Sequence, residues 1–284
     1  MRNALQGNPA DKADDLGHDA ILDAAVEAAR AAASVIRDAL ADRSSLHWES
    51  KGAADFVTDV DRSAERAIAE IIAARFPDAR MLGEELSPEA ALSSPGLTFV
   101  ADPLDGTTNF LHGYPQYAVS IGVLQQSVLV AGVVLNVTTQ ECYTAIRGRG
   151  AHLDAETIKV SSLSDPSRAL IGTGFPFKQQ ELLERYSRHF IAVSRETAGI
   201  RRAGSAALDL AHVACGRFDG FWELDLAPWD IAAGILLVRE AGGVVTNLAG
   251  DNRDISAGPV VAGNPDIHPW LLRTLLAADS TDKQ

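Results

Sequence analysis

Cysteine, net positive charge and long apolar runs are what this 284-residue chain has least of. Its two cysteines, Cys142 and Cys215, stand far apart, one in a strand-like run and one in a helical run. They supply neither a disulfide framework nor a CxxC metal site, and both are expected as buried small residues. The formal net charge of −13 argues against a general affinity for nucleic acid, which depends on neutralising phosphates with Lys and Arg. In such a field an anionic substrate needs a local cation, and a metal ion is the economical candidate. Apolar stretches such as residues 128–135 fall far short of the roughly 20 residues a bilayer span requires. The opening stretch lacks the apolar middle region and small-residue cleavage site of a signal peptide, so the cytoplasm is the expected location. Motifs for covalent, P-loop or dinucleotide chemistry are missing too: no Ser-His-Asp, Cys-His, Walker-type lysine or GxGxxG pattern is present. The seven histidines lack HExxH spacing and read as surface or core residues.

What is there is ordinary for a globular chain. Hydrophobic residues make up 46% and charged residues 22%, and the length suits one large domain or two smaller ones. Residues 1–17 are expected as a flexible tail, 18–156 as an N-terminal α+β half, and 157–284 as a C-terminal α/β half. Residues 19–42 place Ile21, Leu22, Ala25, Ala29, Ala32, Val35, Ile36 and Leu40 on one helical stripe. A second helix follows over residues 63–76, with Asp61 as its possible cap and Pro77 as its stop. The period then changes to the β-rich runs "LTFVAD", "YAVSIGVL", "SVLVAGVVLN" and "CYTAI", which read as a largely antiparallel sheet. In the second half, strands "ALIGTGF", "FDGFWE", "VVTNL" and "PVVAG" alternate with helices over 179–195, 206–214, "WDIAAGILLVREAGG" and 265–277.

The chemistry gathers in "DPLDGTTNF", residues 102–110. Asp102 and Asp105 are expected at the carboxyl end of a strand, around a turn set by Pro103 and Gly106. Two carboxylates on one tight turn repel unless a cation lies between them. Oxygen ligands suit Mg²⁺ or Mn²⁺ rather than zinc. If "GTTNF" opens a helical turn, the backbone N–H groups of Gly106 and Thr107 offer an oxyanion seat; the bland alternative is an Asp cap on that turn. Glu84 and Glu85 in "MLGEELSPE", Asp230 in "LAPWDIAAG", and Asp55, Asp59 and Asp61 in "DFVTDVD" add further acids. Each of these, taken alone, reads equally well as a solvated group or a helix cap.

Taken together, "DFVTDVDRSAE", "GEE", "DPLDGTTNF", "RRAGSAALDLAHVACGRFDGFWE" and "PWDIAAGILLVREAGG" resemble, in order and spacing, the inositol monophosphatase family. The resemblance covers nearly all of the chain after the tail and is nearest to the bacterial inositol-1-monophosphatases. It implies a layered αβαβα sandwich, shared with fructose-1,6-bisphosphatases. It also implies hydrolysis of myo-inositol 1-phosphate and related polyol phosphates by metal-activated water. Glu84, Asp102 and the carbonyl of Leu104 would hold one Mg²⁺, and Asp102, Asp105 and Asp230 a second. A third, weaker ion would sit near Glu84 and the loop of Lys51 and Gly52, and Mn²⁺ is a possible substitute. Asp61 and Thr107 match the positions that orient the attacking water with Glu84, while Gly106 and Thr107 match the phosphate seat. Asp105, Ala206 and Glu223 match the groups that meet substrate hydroxyls, with Gly204 and Ser205 lining the same wall. A homodimer and lithium sensitivity are implied as well, with Arg201 and Arg202 near the substrate wall and subunit contacts.

Sister enzymes with the same metal motif act on adenosine 3′,5′-bisphosphate, histidinol phosphate or fructose-1,6-bisphosphate. Thr108-Asn109-Phe110 favours inositol phosphate over the nucleotide and histidinol-phosphate branches. An alternative of another class is an interaction module in transcription or ribosomal-RNA antitermination complexes, in contact with nucleic acid or protein. Two turns depart from the family's habit: Asn136-Val137 stands where Asp-Pro is common, and Asp154-Ala155 where Asn-Gly is common.

Overall fold

The computed structural model describes residues 9–40, 48–52, 55–88, 95–252 and 255–280. Helix α1 (Pro9–Leu40) and helix α2 (Asp59–Arg75) lie together on one face of a seven-stranded sheet. The predicted stripe of α1 is the buried one: Ile21, Ala25, Ala29, Ala32 and Ile36 are enclosed, with Leu22, Val35 and Leu40 packed at its edges. The helix starts at Pro9, so the described part of the expected tail is helical. A proline in the first turn costs nothing there, because its missing N–H has no intrahelical partner anyway. Residues 1–8 lie outside the described residues.

The seven strands are β3 (Arg80–Gly83), β4 (Leu97–Asp105), β5 (Ala118–Gln125), β6 (Val128–Asn136), β7 (Cys142–Ile146), β8 (Ala151–Leu153) and β9 (Glu156–Ile158). They pair in sequence order and are antiparallel except for β3 against β4. A separate hairpin joins β1 (Trp48–Gly52) to β2 (Asp55–Thr58). A second sheet has the order β11-β10-β12-β14-β13. Its members are β10 (Leu170–Thr173), β11 (Gly199–Arg201), β12 (Gly220–Leu226), β13 (Val244–Thr246) and β14 (Gly258–Gly263).

Between the sheets run α5 (Ala206–Ala214) and α6 (Pro228–Glu240), whose residues are buried nearly all round, as a helix covered on both sides must be. Helices α4 (Leu183–Ser194) and α7 (Ile267–Ser280) cover the outer face of the second sheet. The layers therefore run helix, sheet, helix, sheet, helix, the αβαβα sandwich expected.

The approach of α6 to the first sheet depends on glycine. A Cβ on Gly122 of β5 would stand 2.5 Å from Ala232 Cβ, and one on Gly132 of β6 would stand 3.1 Å from Ala233 Cα. Both atoms belong to α6, so the two bare backbone positions set how far the start of α6 reaches toward β4.

Both atypical turns are satisfied locally. Asn136 Oδ1 accepts from the N–H groups of Thr138 (2.9 Å) and Thr139 (3.1 Å), an Asx turn that replaces proline's rigidity with hydrogen bonds. Asp154 takes a left-handed φ of 52° in the two-residue β8–β9 connection, a conformation Asp tolerates better than most residues.

Candidate active site

Strand β4 carries the central acids, and it does so differently from the turn expected. Asp102 pairs with Ser120 and Asp105 with Ala118, so three steps on β4 oppose two on β5. The extra residue makes a bulge around Pro103, which has no N–H to lose from the ladder. The strand thus continues through Asp105 instead of ending at Asp102, and the bulge brings both carboxylates into one cavity. Gly106 follows with φ 99°, a left-handed conformation that only glycine adopts without strain, and the short helix α3 (Thr107–His112) begins at once.

The cavity measures about 440 Å³ and lies between the two sheets and the start of α6. Glu84, Asp102, Leu104, Asp105, Gly106 and Thr107 line it from the first half. Gly204, Ser205, Ala206, Glu223 and Asp230 line it from the second. Asp61 is the one predicted site residue outside the lining, and it acts through a neighbour. Its Oδ1 accepts a hydrogen bond from Thr107 Oγ1 at 3.0 Å, while Oδ2 accepts from Thr58 N–H at 2.8 Å and from the Thr58 hydroxyl. Asp61 is therefore not the N-cap of α2 as the sequence suggested. Thr58 is the cap, and Asp61 answers it from the third helical position. Lys51 and Gly52 belong to β1, and no side-chain detail is described there.

Three of the central acids are held by donors of their own. Asp102 Oδ1 accepts from Leu104 N–H (2.9 Å). Asp105 Oδ2 accepts from Ser205 Oγ (2.6 Å) and Ala207 N–H (2.8 Å), which ties β4 to the start of α5. Asp230 Oδ2 accepts from Ala227 N–H (2.7 Å), which sets it in the first turn of α6. Lys178 Nζ stands 4.0 Å from Glu84 Oε1.

These bonds do not balance the charge. Burial, then the charges of Glu84, Asp105 and Asp230, push the Asp102 carboxyl well above the usual range. Asp230 is raised by burial and by Asp105, and Asp105 by burial, against its hydroxyl and backbone donors. Glu223 is raised by burial and then by Asp230, Asp209 and Asp105.

Side by side, these groups form a carboxylate-rich wall with a backbone carbonyl and no sulfur or imidazole. That donor set fits hard divalent cations, and like charges so placed are relieved by a cation between them. Among the described residues, no three His, Cys, Asp or Glu groups are drawn into a tight cage; the acids share a wall.

Sequence reasoning assigned no supporting role to three residues that have one. Glu65, fully buried on α2, accepts from the N–H groups of Glu85 (2.7 Å) and Leu86 (3.0 Å) and so fixes the turn that carries Glu84. A Cβ on Gly83 would collide with it at 2.1 Å. The signal was available: Asp61 and Glu65 lie one helical turn apart, in line with the buried Ile68 and Ile72. Asn109 Nδ2 donates to the carbonyls of Gln116 (2.6 Å) and Ala203 (2.9 Å), which fastens α3 to the Gly204 wall. Asp209, buried in α5, has its carboxyl pushed well above the usual range by burial and then by the charge of Asp105. Nothing in the local pattern distinguished the last two.

The model of the inositol monophosphatase family matches residues 18–282. An inositol-1-monophosphatase of Rhizobium meliloti is 45% identical over 89% of this chain and 94% of its own length. The Nus factor SuhB of Pseudomonas aeruginosa is 43% identical over 90% of this chain and 95% of its own. Among solved structures, the extragenic suppressor protein suhB of Bartonella henselae superimposes with a TM-score of 0.84 at 40% identity, covering 90% of this chain and 98% of that one. With the layered fold, the bulged β4 and the shared acidic wall already in view, the match over nearly the whole length settles the assignment: this chain belongs to the inositol monophosphatase family.

Proposed function

We propose that the protein is a Mg²⁺-dependent phosphomonoesterase that hydrolyses myo-inositol 1-phosphate and related polyol monophosphates. The observation that carries this reading is the convergence of Asp102, Asp105, Asp230 and Glu84 on one cavity beside Gly106 and Thr107. Glu84, Asp102, the Leu104 carbonyl, Asp105 and Asp230 are the groups that would hold two divalent ions, with a third nearer Glu84. When bound, such ions supply an acidified water and stabilise charge on the leaving oxygen.

The chain's own groups do the rest. The opening amides of α3 lack partners within the helix and present donors to the phosphate oxygens. Thr107 Oγ1 donates a hydrogen bond to Asp61, so its lone pairs are left for the attacking water, and Glu84 takes the proton that water releases. Asp105, the Ala206 amide and Glu223 receive the sugar hydroxyls, and Gly204 and Ser205 shape that wall. A cytoplasmic homodimer is the expected working form; among the described residues no helix is long and apolar enough to cross a membrane.

The test is phosphate release from inositol 1-phosphate, adenosine 3′,5′-bisphosphate, histidinol phosphate and fructose-1,6-bisphosphate, with and without Mg²⁺. Release should be Mg²⁺-dependent, strongest for inositol phosphate, and lost in Asp105→Asn. Turnover of another ester alone would keep the site and change the substrate. A second reading comes from the name Nus factor carried by the Pseudomonas relative: a role in transcription complexes. With a net charge of −13, that role would rest on protein contacts rather than on nucleic acid. Co-purification with such complexes, undiminished in Asp105→Asn, would support it.

A further inference from the structure

Strand β10 hands over to a short loop, residues 174–179, along the rim of the same cavity. Two aromatic residues root it. Phe175 meets Tyr186 edge to face with ring centres 5.1 Å apart, Tyr186 stacks on the buried Trp222, and Phe177 meets Phe175 at 5.5 Å. The Arg202 guanidinium carbon lies 4.5 Å from the Phe177 ring centre and braces that side. Within the loop, the Phe177 N–H donates to the Phe175 carbonyl (2.8 Å) and the Gln179 N–H to the Pro176 carbonyl (3.2 Å). Gln179 Nε2 fastens the far end to Asp225 Oδ2 at 2.7 Å. Lys178 stands between these anchors, so its backbone is fixed and its four-carbon stem is what can swing.

That stem reaches from the second half of the chain toward the first. Lys178 Nζ stands 4.0 Å from Glu84 Oε1, just past the end of β3. The Asp230 carboxyl, raised by burial and by Asp105, is drawn back by the Ala227 amide and then by the charge of Lys178, so the ammonium acts on α6 as well. Among the described residues, Lys178 and Arg202 are the cations that line the cavity, and Arg202 lies over the phenyl rings. Lys178 is therefore the cation aimed at Glu84, one of the acids that would hold a divalent ion. Two cations drawn to one carboxylate oppose each other.

Resting on the reading of the acidic wall as a cation site, we infer that Lys178 is a tethered counter-cation that competes with Mg²⁺ for Glu84. It is a positioning residue, and it sets the Mg²⁺ concentration at which the site fills. Lysine suits this post. Its ammonium is a hydrated point charge on a flexible stem and can yield to a divalent ion, whereas a guanidinium can grip both carboxylate oxygens at once.

The experiment is calorimetric titration of the full chain with Mg²⁺ in wild type, Lys178→Met and Lys178→Arg. The Lys178 side chain is 58% exposed, so the variants should keep the fold, and thermal midpoints in EDTA check that. Lys178→Met should bind Mg²⁺ roughly threefold more tightly or better, the scale of an exposed ion pair. Lys178→Arg, which keeps the charge, should bind no more tightly than wild type. The gap between wild type and Lys178→Met should narrow as ionic strength rises, because salt screens the ammonium. Equal or weaker binding in Lys178→Met overturns the inference while wild-type Mg²⁺ binding keeps the cation site; so does a gap indifferent to salt, which would mark a steric effect. If wild type takes up no Mg²⁺, binding that appears in Lys178→Met supports the inference, and none in either protein overturns it together with the cation site.

Discussion

Asp61 and Glu65 stand one turn apart on the buried face of a helix, where an acid without partners would be costly. Both have them, Asp61 in Thr58 and Thr107 and Glu65 in the amides after Glu84. Asp61→Ala removes the acceptor that holds the Thr107 hydroxyl. Steady-state kinetics should show kcat lowered by about 10²–10⁴, the usual range for a group that manages proton placement. A kcat within a few-fold of wild type would separate Thr107 from the water. Glu65→Ala strands two amide donors and should lower stability by about 1–3 kcal/mol in urea titration. Calorimetric titration should also show weaker Mg²⁺ binding, because the turn bearing Glu84 is then unsupported. Intact Mg²⁺ affinity would mean that Glu84 is placed by other contacts.

At the scale of elements, α6 matters because it delivers Asp230. Gly122→Ala adds a Cβ 2.5 Å from Ala232 Cβ, so helix and sheet must separate. Overpacking of this kind costs about 1–3 kcal/mol. The urea midpoint should drop accordingly, and Mg²⁺ affinity should drop with it as Asp230 retreats from Asp102. A variant that is destabilised but keeps its Mg²⁺ affinity would show that Asp230 contributes little to the cation site. The β4 bulge belongs to the same scale. It is what turns two acids three residues apart toward a single cavity, and the pairing partner on β5 creates it, not the nonapeptide alone.

For the molecule as a whole, the uncompensated acids predict that Mg²⁺ stabilises the native state. A ligand bound only by the folded form at 100 times its Kd adds about 2.7 kcal/mol. The thermal midpoint should therefore rise by several degrees with Mg²⁺, and far less in Asp102→Asn. A midpoint indifferent to Mg²⁺ in wild type would count against the acidic wall as a cation site.

Acid should act in the opposite sense through His212. Burial, then the charge of Arg217, lowers its pKa from 6.5 to about 4. Below pH 6.5 the unfolded chain binds a proton that the folded chain refuses. Its contribution to stability therefore falls as pH drops, and levels off near pH 4. The gap in urea stability between wild type and His212→Gln should change across that window by at most about 1.4 kcal/mol per pH unit. A pH-independent gap would place the His212 proton elsewhere.

The sequence alone determined the helix stripe of α1, the limits of α5, the antiparallel run of the first sheet and the identity of five of the seven acids that line the cavity among the described residues, Asp209 and Asp225 being the two it missed. Periodicity and residue type are local, and local order was enough for those. It read Asp61 as a cap and ended β4 at Asp102, because a capping box and a bulge are defined by partners, Thr58 in one case and Ser120 with Ala118 in the other. It left Glu65 unremarked, read Asn109 only as part of a substrate-branch signature, and placed Arg202 near the substrate wall without its aromatic brace. Their meaning lies in what they touch, and only the packing of α2 against β3, of α3 against the Gly204 wall, and of Phe175 and Phe177 against Arg202 supplies that contact.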